Sequence, residues 1–198
     1  MTVATGRRMS LEEFLTYDDG TEKLYELVDG VLVEMPTESR LNHKIASFLF
    51  ATFLRLGLPE DLLTIGVQIA VTYSSVTARQ PDFAILSEDC AAALEGASSD
   101  VIETGMIPPA LVVEVVSPGE EGSKNYDRDY VDKPREYADR RIPEFWLVDP
   151  SRRWVRVLIL EGGSYKVKQY RGTEAIVSPT FPELQLTAAQ CLAGKRVV

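Results

Sequence analysis

Residues 110–116 read Ala110-Leu111-Val112-Val113-Glu114-Val115-Val116, and this stretch decides the fold. It is too short for a buried helix and rich in β-branched residues, so it predicts a central strand covered on both faces. Glu114 is the exception within it. A carboxylate left unpaired among aliphatic neighbours costs several kcal/mol. Either a cation or a proton must answer it, unless the residue reaches solvent at a strand end or pairs with an arginine.

Working outward, a glycine-bearing loop leads to a helix over roughly residues 126–140. Glu144-Phe145-Trp146-Leu147-Val148-Asp149 is a second buried strand, ended by Pro150. Strand, helix and strand in that order predict a crossover unit. Upstream, Leu24 to Met35 holds two β-rich runs around Asp29-Gly30, a strong hairpin signal. Apolar residues from Leu41 to Leu56 recur at helical spacing, and Gly57 and Pro59 end that helix. Ser10 caps a short helix, residues 63–72 and 83–86 read as strands, and residues 87–109 read as an insertion or flexible loop with a short helical piece before Pro108-Pro109. The last third predicts a β-hairpin turning at Gly162-Gly163. The expected architecture is α/β (α+β): one domain over residues 1–198, a mixed sheet flanked by helices, with a C-terminal β-hairpin.

Composition narrows the function classes. Of 198 residues 45% are apolar and 26% charged, as in ordinary globular domains. No apolar run approaches the roughly 18 residues of a membrane span, and no secretory signal is expected behind Arg7 and Arg8. Cys90 and Cys191 read as free thiols, which fits a cytoplasmic protein. The net charge of −9 weighs against tight non-specific nucleic-acid binding unless basic groups are clustered.

Asp82 follows Pro81 and opens Phe83-Ala84-Ile85-Leu86, so it stands where a strand enters the core. Alone it reads equally as a turn aspartate. With Glu114 on an adjacent strand, the pair suits a hard, oxygen-seeking cation such as Mg²⁺ or Mn²⁺. A cationic partner is missing from the strand, since Val116 fills the slot beside Glu114. On the following helix, Tyr126, Tyr130, Pro134 and Tyr137 form the expected inward stripe, and Lys133 borders it. Lys133 is therefore either a solvated surface lysine or one that reaches back toward Glu114. Pro134 either kinks the helix or sits in the first turn of a helix beginning near Lys133. His43 is a further candidate base. Lys124, Arg128, Arg135, Arg140 and Arg141 are candidate phosphate contacts, although acids interleave with them.

Pro81-Asp82 followed by Glu114-Val115-Val116 resembles the PD-(D/E)XK signature of restriction-endonuclease-like nucleases, with the lysine absent from its usual strand position. Longer blocks resemble the Uma-two group of bacterial endonucleases within that superfamily. These are residues 25–30, 79–82, 108–118, 129–133 with Tyr137, and 142–150. The resemblance implies a restriction-endonuclease-like fold and a Mg²⁺- or Mn²⁺-dependent endonuclease hydrolysing DNA phosphodiester bonds. It implies Asp82 and Glu114 as metal ligands, the Val115 carbonyl as an added oxygen, and Lys133 as the catalytic lysine. Glu26 would complete the metal site; by spacing alone it is equally a hairpin residue facing water. A homodimer would suit cutting two strands. The alternative is a catalytically inactive nucleic-acid-binding or protein-interaction module on the same fold, which Val116, Pro134 and the acidic charge favour.

Overall fold

The computed structural model describes all residues except 1, 22, 36–38, 73–75, 96, 98–99 and 197–198, and only the backbone of 2–7, 72 and 76. In chain order the elements are β1 (Thr2–Arg8), α1 (Leu11–Leu15), β2 (Tyr25–Val28), β3 (Val31–Glu34), α2 (Arg40–Leu56), β4 (Leu63–Thr64), β5 (Gln68–Thr72) and β6 (Val76–Arg79). They continue with β7 (Phe83–Ile85), α3 (Glu88–Glu95), β8 (Val101–Ile102), β9 (Leu111–Val115), α4 (Lys124–Asp127) and α5 (Lys133–Asp139). Last come β10 (Glu144–Asp149), β11 (Trp154–Glu161), β12 (Ser164–Tyr170) and α6 (Ala188–Ala193). A π-helical turn, Arg128–Asp132, joins α4 to α5.

The expected mixed α/β architecture is present, but the strands divide into two six-stranded sheets. One runs β1-β3-β2-β6-β5-β8 and the other β12-β11-β10-β9-β7-β4. The reason is pairing over long sequence separation: β2 lies antiparallel to β6, with Leu27 opposite Ala78, rather than joining β9. The short helical piece expected within residues 87–109 is α3, which buries Cys90, but the segment is more than a loop because β8 pairs in parallel with β5.

In the second sheet β9 pairs in parallel with β10 and antiparallel with β7. Alternation then sorts the strand's side chains. Leu111, Val113 and Val115 pack with Trp146 and Val148 against Ile45, Leu49 and Phe53 of α2. Val112 and Val116 face the other way, with Phe145, Leu147 and Tyr137. Glu114 shares this second face. It is thereby aimed at the helix that follows β9.

Two turns depend on left-handed backbone. Asp29 (φ 52°) and Gly30 (φ 74°) form the two-residue link of the β2–β3 hairpin, where both positions need positive φ. Gly194 (φ 56°) caps α6, and a Cβ there would lie 2.9 Å from the Lys44 carbonyl oxygen of α2. Gly194→Ala is expected to cost roughly 2 kcal/mol or more, from left-handed strain plus a backbone clash. Urea unfolding midpoints of the two proteins check this.

Candidate active site

β7 leaves the sheet at Pro81-Asp82, because Phe83 is opposite Val113 and no ladder continues beyond it. Val115 therefore presents both its N–H and its C=O to an empty strand position. Asp82 fills half of that position: its Oδ2 accepts the Val115 N–H at 2.7 Å. The Val115 carbonyl receives the Asn42 side-chain amide at 3.4 Å. Asp82, Glu114 and Val115 thus come together on the wall of one cleft of about 220 Å³, with Asn42, Gln80, Arg128, Asp129 and Lys133. A larger cavity of about 600 Å³ lies between α2 and residues 183–196, but among the described residues Glu183 is the only carboxylate on its wall.

Lys133 reaches the cleft because of Pro134. Proline has no N–H to donate to the Tyr130 carbonyl, and its ring would crowd that carbonyl in a regular α-helix. The backbone widens instead, and the Lys133 N–H donates to the Arg128 carbonyl five residues back. Pro134 then sits in the first turn of α5, where it is tolerated. The wide turn adds a residue and rotates the helix face. Of the expected inward stripe Tyr137 is buried, but Tyr126, Tyr130 and Pro134 are only half-buried, and Arg128, Asp129, Lys133 and Glu136 are buried in their place. Functional sites often carry such a turn.

The Lys133 ammonium lies 2.6 Å from Glu114 Oε2, 3.9 Å from Asp129 Oδ1 and 4.0 Å from Glu26 Oε1. Tyr137 donates its hydroxyl to Glu114 Oε1 at 2.7 Å. Burial pushes the Glu114 carboxyl above its ordinary value despite the lysine beside it. Burial opposes the charge on Lys133, but Glu114, Glu26 and Asp129 outweigh it and hold the ammonium above its usual pKa. Lys133 is thus a fixed cation, not a base, at neutral pH.

Glu26 is fully buried behind the cleft wall and is neither a water-facing hairpin residue nor a free ligand. Arg79 donates to its Oε2 at 3.1 Å and the Gln80 N–H to its Oε1 at 3.3 Å. Arg79 also grips Glu136 through two bonds of 2.7 and 2.8 Å. Burial alone would raise the Glu26 carboxyl, but Lys133, Arg79 and Arg128 together hold it below its ordinary value. Because its folded value is depressed, Glu26 contributes stability that is present above the unfolded value. That stability is lost as pH falls through the folded one. Glu26→Gln is expected to unfold at a less pH-dependent denaturant midpoint between pH 5 and 3 than wild type; parallel slopes would refute this.

Among the described residues no three of His, Cys, Asp and Glu are gathered so that they could hold a metal ion. The expected cluster of Glu26, Asp82 and Glu114 is therefore not assembled, because Glu26 is held by Arg79. A smaller donor set does fit a hard cation: two carboxylates and a backbone carbonyl on one cleft. The surrounding network supports the fit. Among the described residues the acids Glu26, Asp82, Glu114, Asp129 and Glu136 outnumber the cations Arg79, Arg128 and Lys133 packed with them, a balance that suits an added cation. Of the other sequence candidates, His43, Lys124, Arg135 and Arg141 are exposed. Arg140 is structural, donating to the Glu103 and Met106 carbonyls at 2.6 and 2.7 Å.

The family model for Uma2, described as "Putative restriction endonuclease", matches residues 11–189. The chain belongs to the Uma2 family. A solved structure from Anabaena variabilis, described as "a putative nuclease belonging to DUF820", is similar to this Uma2 chain with a TM-score of 0.66. The two are 17% identical, and the match covers 94% of this chain and 98% of that one, so it establishes a shared fold. No curated protein matches the chain. Among the described residues no helix is long and apolar enough to cross a membrane.

Sequence reasoning did not single out Asp129, Arg79 or Glu136, and gave Tyr137 a packing role alone. One signal was available: Asp129, Lys133 and Tyr137 recur every four residues, which puts them on one helical face.

Proposed function

We propose that this Uma2 protein is a divalent-metal-dependent endonuclease hydrolysing DNA phosphodiester bonds. The convergence of Asp82, Glu114, the Val115 carbonyl and Lys133 on one cleft carries the reading. The two carboxylates and the carbonyl would hold Mg²⁺ or Mn²⁺. Such an ion, when bound, activates water and neutralises charge at phosphorus. Lys133 presents a permanent positive charge to the phosphate oxygens, where charge builds in the transition state. Glu26 and Asp129 keep that ammonium charged and limit where it can swing. Asn42 and Gln80 supply neutral donors on the same wall to orient the phosphate. A homodimer would bring two clefts to a duplex, and light scattering on the intact protein reads its mass directly.

One observation favours the inactive-module reading. Both oxygens of Glu114 are already engaged, by Lys133 and by Tyr137. The two readings part in a cleavage assay on plasmid and single-stranded DNA with Mg²⁺, Mn²⁺ or EDTA. Metal-dependent nicking supports the enzyme. DNA binding without cleavage under every metal condition would leave only the module.

A further inference from the structure

The chain is acidic overall, yet its charge is unevenly spread. Residues 151–171 hold six of the 21 Lys and Arg and one of the 30 Asp and Glu. The cations are Arg152, Arg153, Arg156, Lys166, Lys168 and Arg171, and the acid is Glu161. All lie on the β11–β12 hairpin or its immediate ends, and β12 is the outer strand of its sheet. Arg153, Lys166, Lys168 and Arg171 are exposed.

This basic strip is connected to the cleft. Arg152 is paired with Asp149 at 3.0 Å and also donates to the Gly119 carbonyl at 2.9 Å, beside the cleft residue Pro118, so it anchors the strip to the cleft wall. Arg171 donates to the Arg152 carbonyl at 2.8 Å. From there Lys168 and Lys166 follow along the outer strand β12, two residues and about 7 Å apart, on the sheet face of Tyr170 and opposite to that of Arg156. Aromatic rings steady several of the cations. Arg152 lies 5.4 Å from the Tyr126 and Tyr130 rings, and Lys168 lies 5.2 Å from Tyr170. Edge strands often carry lysines that discourage pairing with another chain. That purpose accounts for Lys166 and Lys168, but not for three arginines gathered at the end nearest the cleft.

We propose that the β11–β12 hairpin is the DNA-tracking surface of this protein. A strand leaving the cleft passes over Arg152 and Arg171 and runs along β12, with its phosphates against Lys168 and Lys166. Phosphate contacts of this kind supply most sequence-independent affinity. The strip places that affinity locally in a chain whose remainder repels polyanions. The choice of DNA rests on the nuclease reading; the charge segregation does not.

The test measures binding of a labelled oligonucleotide to the intact protein in EDTA, so that no cleavage occurs. A triple variant, Lys166→Glu with Lys168→Glu and Arg171→Glu, is compared with Lys44→Glu, Arg55→Glu and Lys195→Glu on an exposed surface elsewhere. Both change net charge equally. The hairpin variant is expected to bind at least about tenfold more weakly, with a salt slope shallower by about 0.7–0.9 for each phosphate no longer neutralised. In cleavage it should raise KM and leave kcat unchanged. Equal weakening in both triples, or none in the hairpin triple, overturns the proposal. Absence of wild-type binding even at low salt overturns the proposal, while the nuclease reading stands or falls separately on metal-dependent cleavage. If the triple no longer melts cooperatively, Lys166→Ala with Lys168→Ala replaces it, and an unchanged salt slope there overturns the proposal equally.

Discussion

Asp82→Asn and Glu114→Gln are each expected to lower Mg²⁺-dependent DNA cleavage by about a thousandfold or more. The amides matter, because alanine would confound chemistry with folding. Glu114→Ala would leave the Lys133 ammonium buried without its nearest partner, a loss of about 3–5 kcal/mol for a broken buried pair. Glutamine keeps an oxygen for Tyr137 or Lys133. Asp82→Asn similarly keeps an oxygen for the Val115 N–H, whose loss would cost about 1–3 kcal/mol. Both amides remove the negative charge that a hard cation needs. Thermal melts close to wild type together with lost cleavage support the assignment; cleavage at wild-type rate in either variant refutes it. The pH dependence follows from the same geometry. Glu114 must be ionised to hold a cation, and burial raises its carboxyl. Protons therefore compete with the cation for Glu114, and Mn²⁺ affinity is expected to fall as pH is lowered, which calorimetric titration at several pH values checks.

What the sequence revealed follows the range of the interactions involved. The strand at Leu111–Val115, the Asp29-Gly30 hairpin and the helix Arg40–Leu56 all depend on neighbours a few residues away, and all are present. Glu114 stood out because one charge among valines is a local contradiction. The fate of Glu26 was not readable, because Arg79 reaches it only through pairing of β2 with β6 across some fifty positions. The division into two sheets has the same cause. Asp82 was visible as a candidate, yet the way it replaces a missing ladder bond at Val115 depends on where β7 stops. The helix was misphased for a subtler reason. A regular period of 3.6 residues traced from Tyr130 placed the tyrosines inward, whereas the π turn ahead of Pro134 turns Arg128 to the cleft beside Asp129 and Lys133, which i,i+4 spacing already pairs.

That turn underlies the second large effect, which concerns Lys133 and Asp129 jointly. Lys133→Met is expected to reduce kcat by about a hundredfold or more, the size seen when one preorganised donor is removed from a reacting oxyanion. The same variant is expected to bind Mn²⁺ more tightly than wild type, because Lys133 sits 2.6 Å from a Glu114 oxygen that a cation needs. For a cation to share Glu114, the ammonium must move toward Asp129 and Glu26, both within 4.0 Å. Asp129→Asn removes one of those destinations and should weaken Mn²⁺ binding by about tenfold, within the range of couplings between contacting residues. Simple loss of nearby negative charge predicts the same sign, so the double variant decides. If Asp129 acts through the lysine, Asp129→Asn has little further effect once Lys133 is methionine. If it acts only through its charge, the weakening persists in that background. Calorimetric titration of Mn²⁺ into the four proteins reads this directly, without relying on turnover, and a persistent loss would remove Asp129 from the positioning of Lys133.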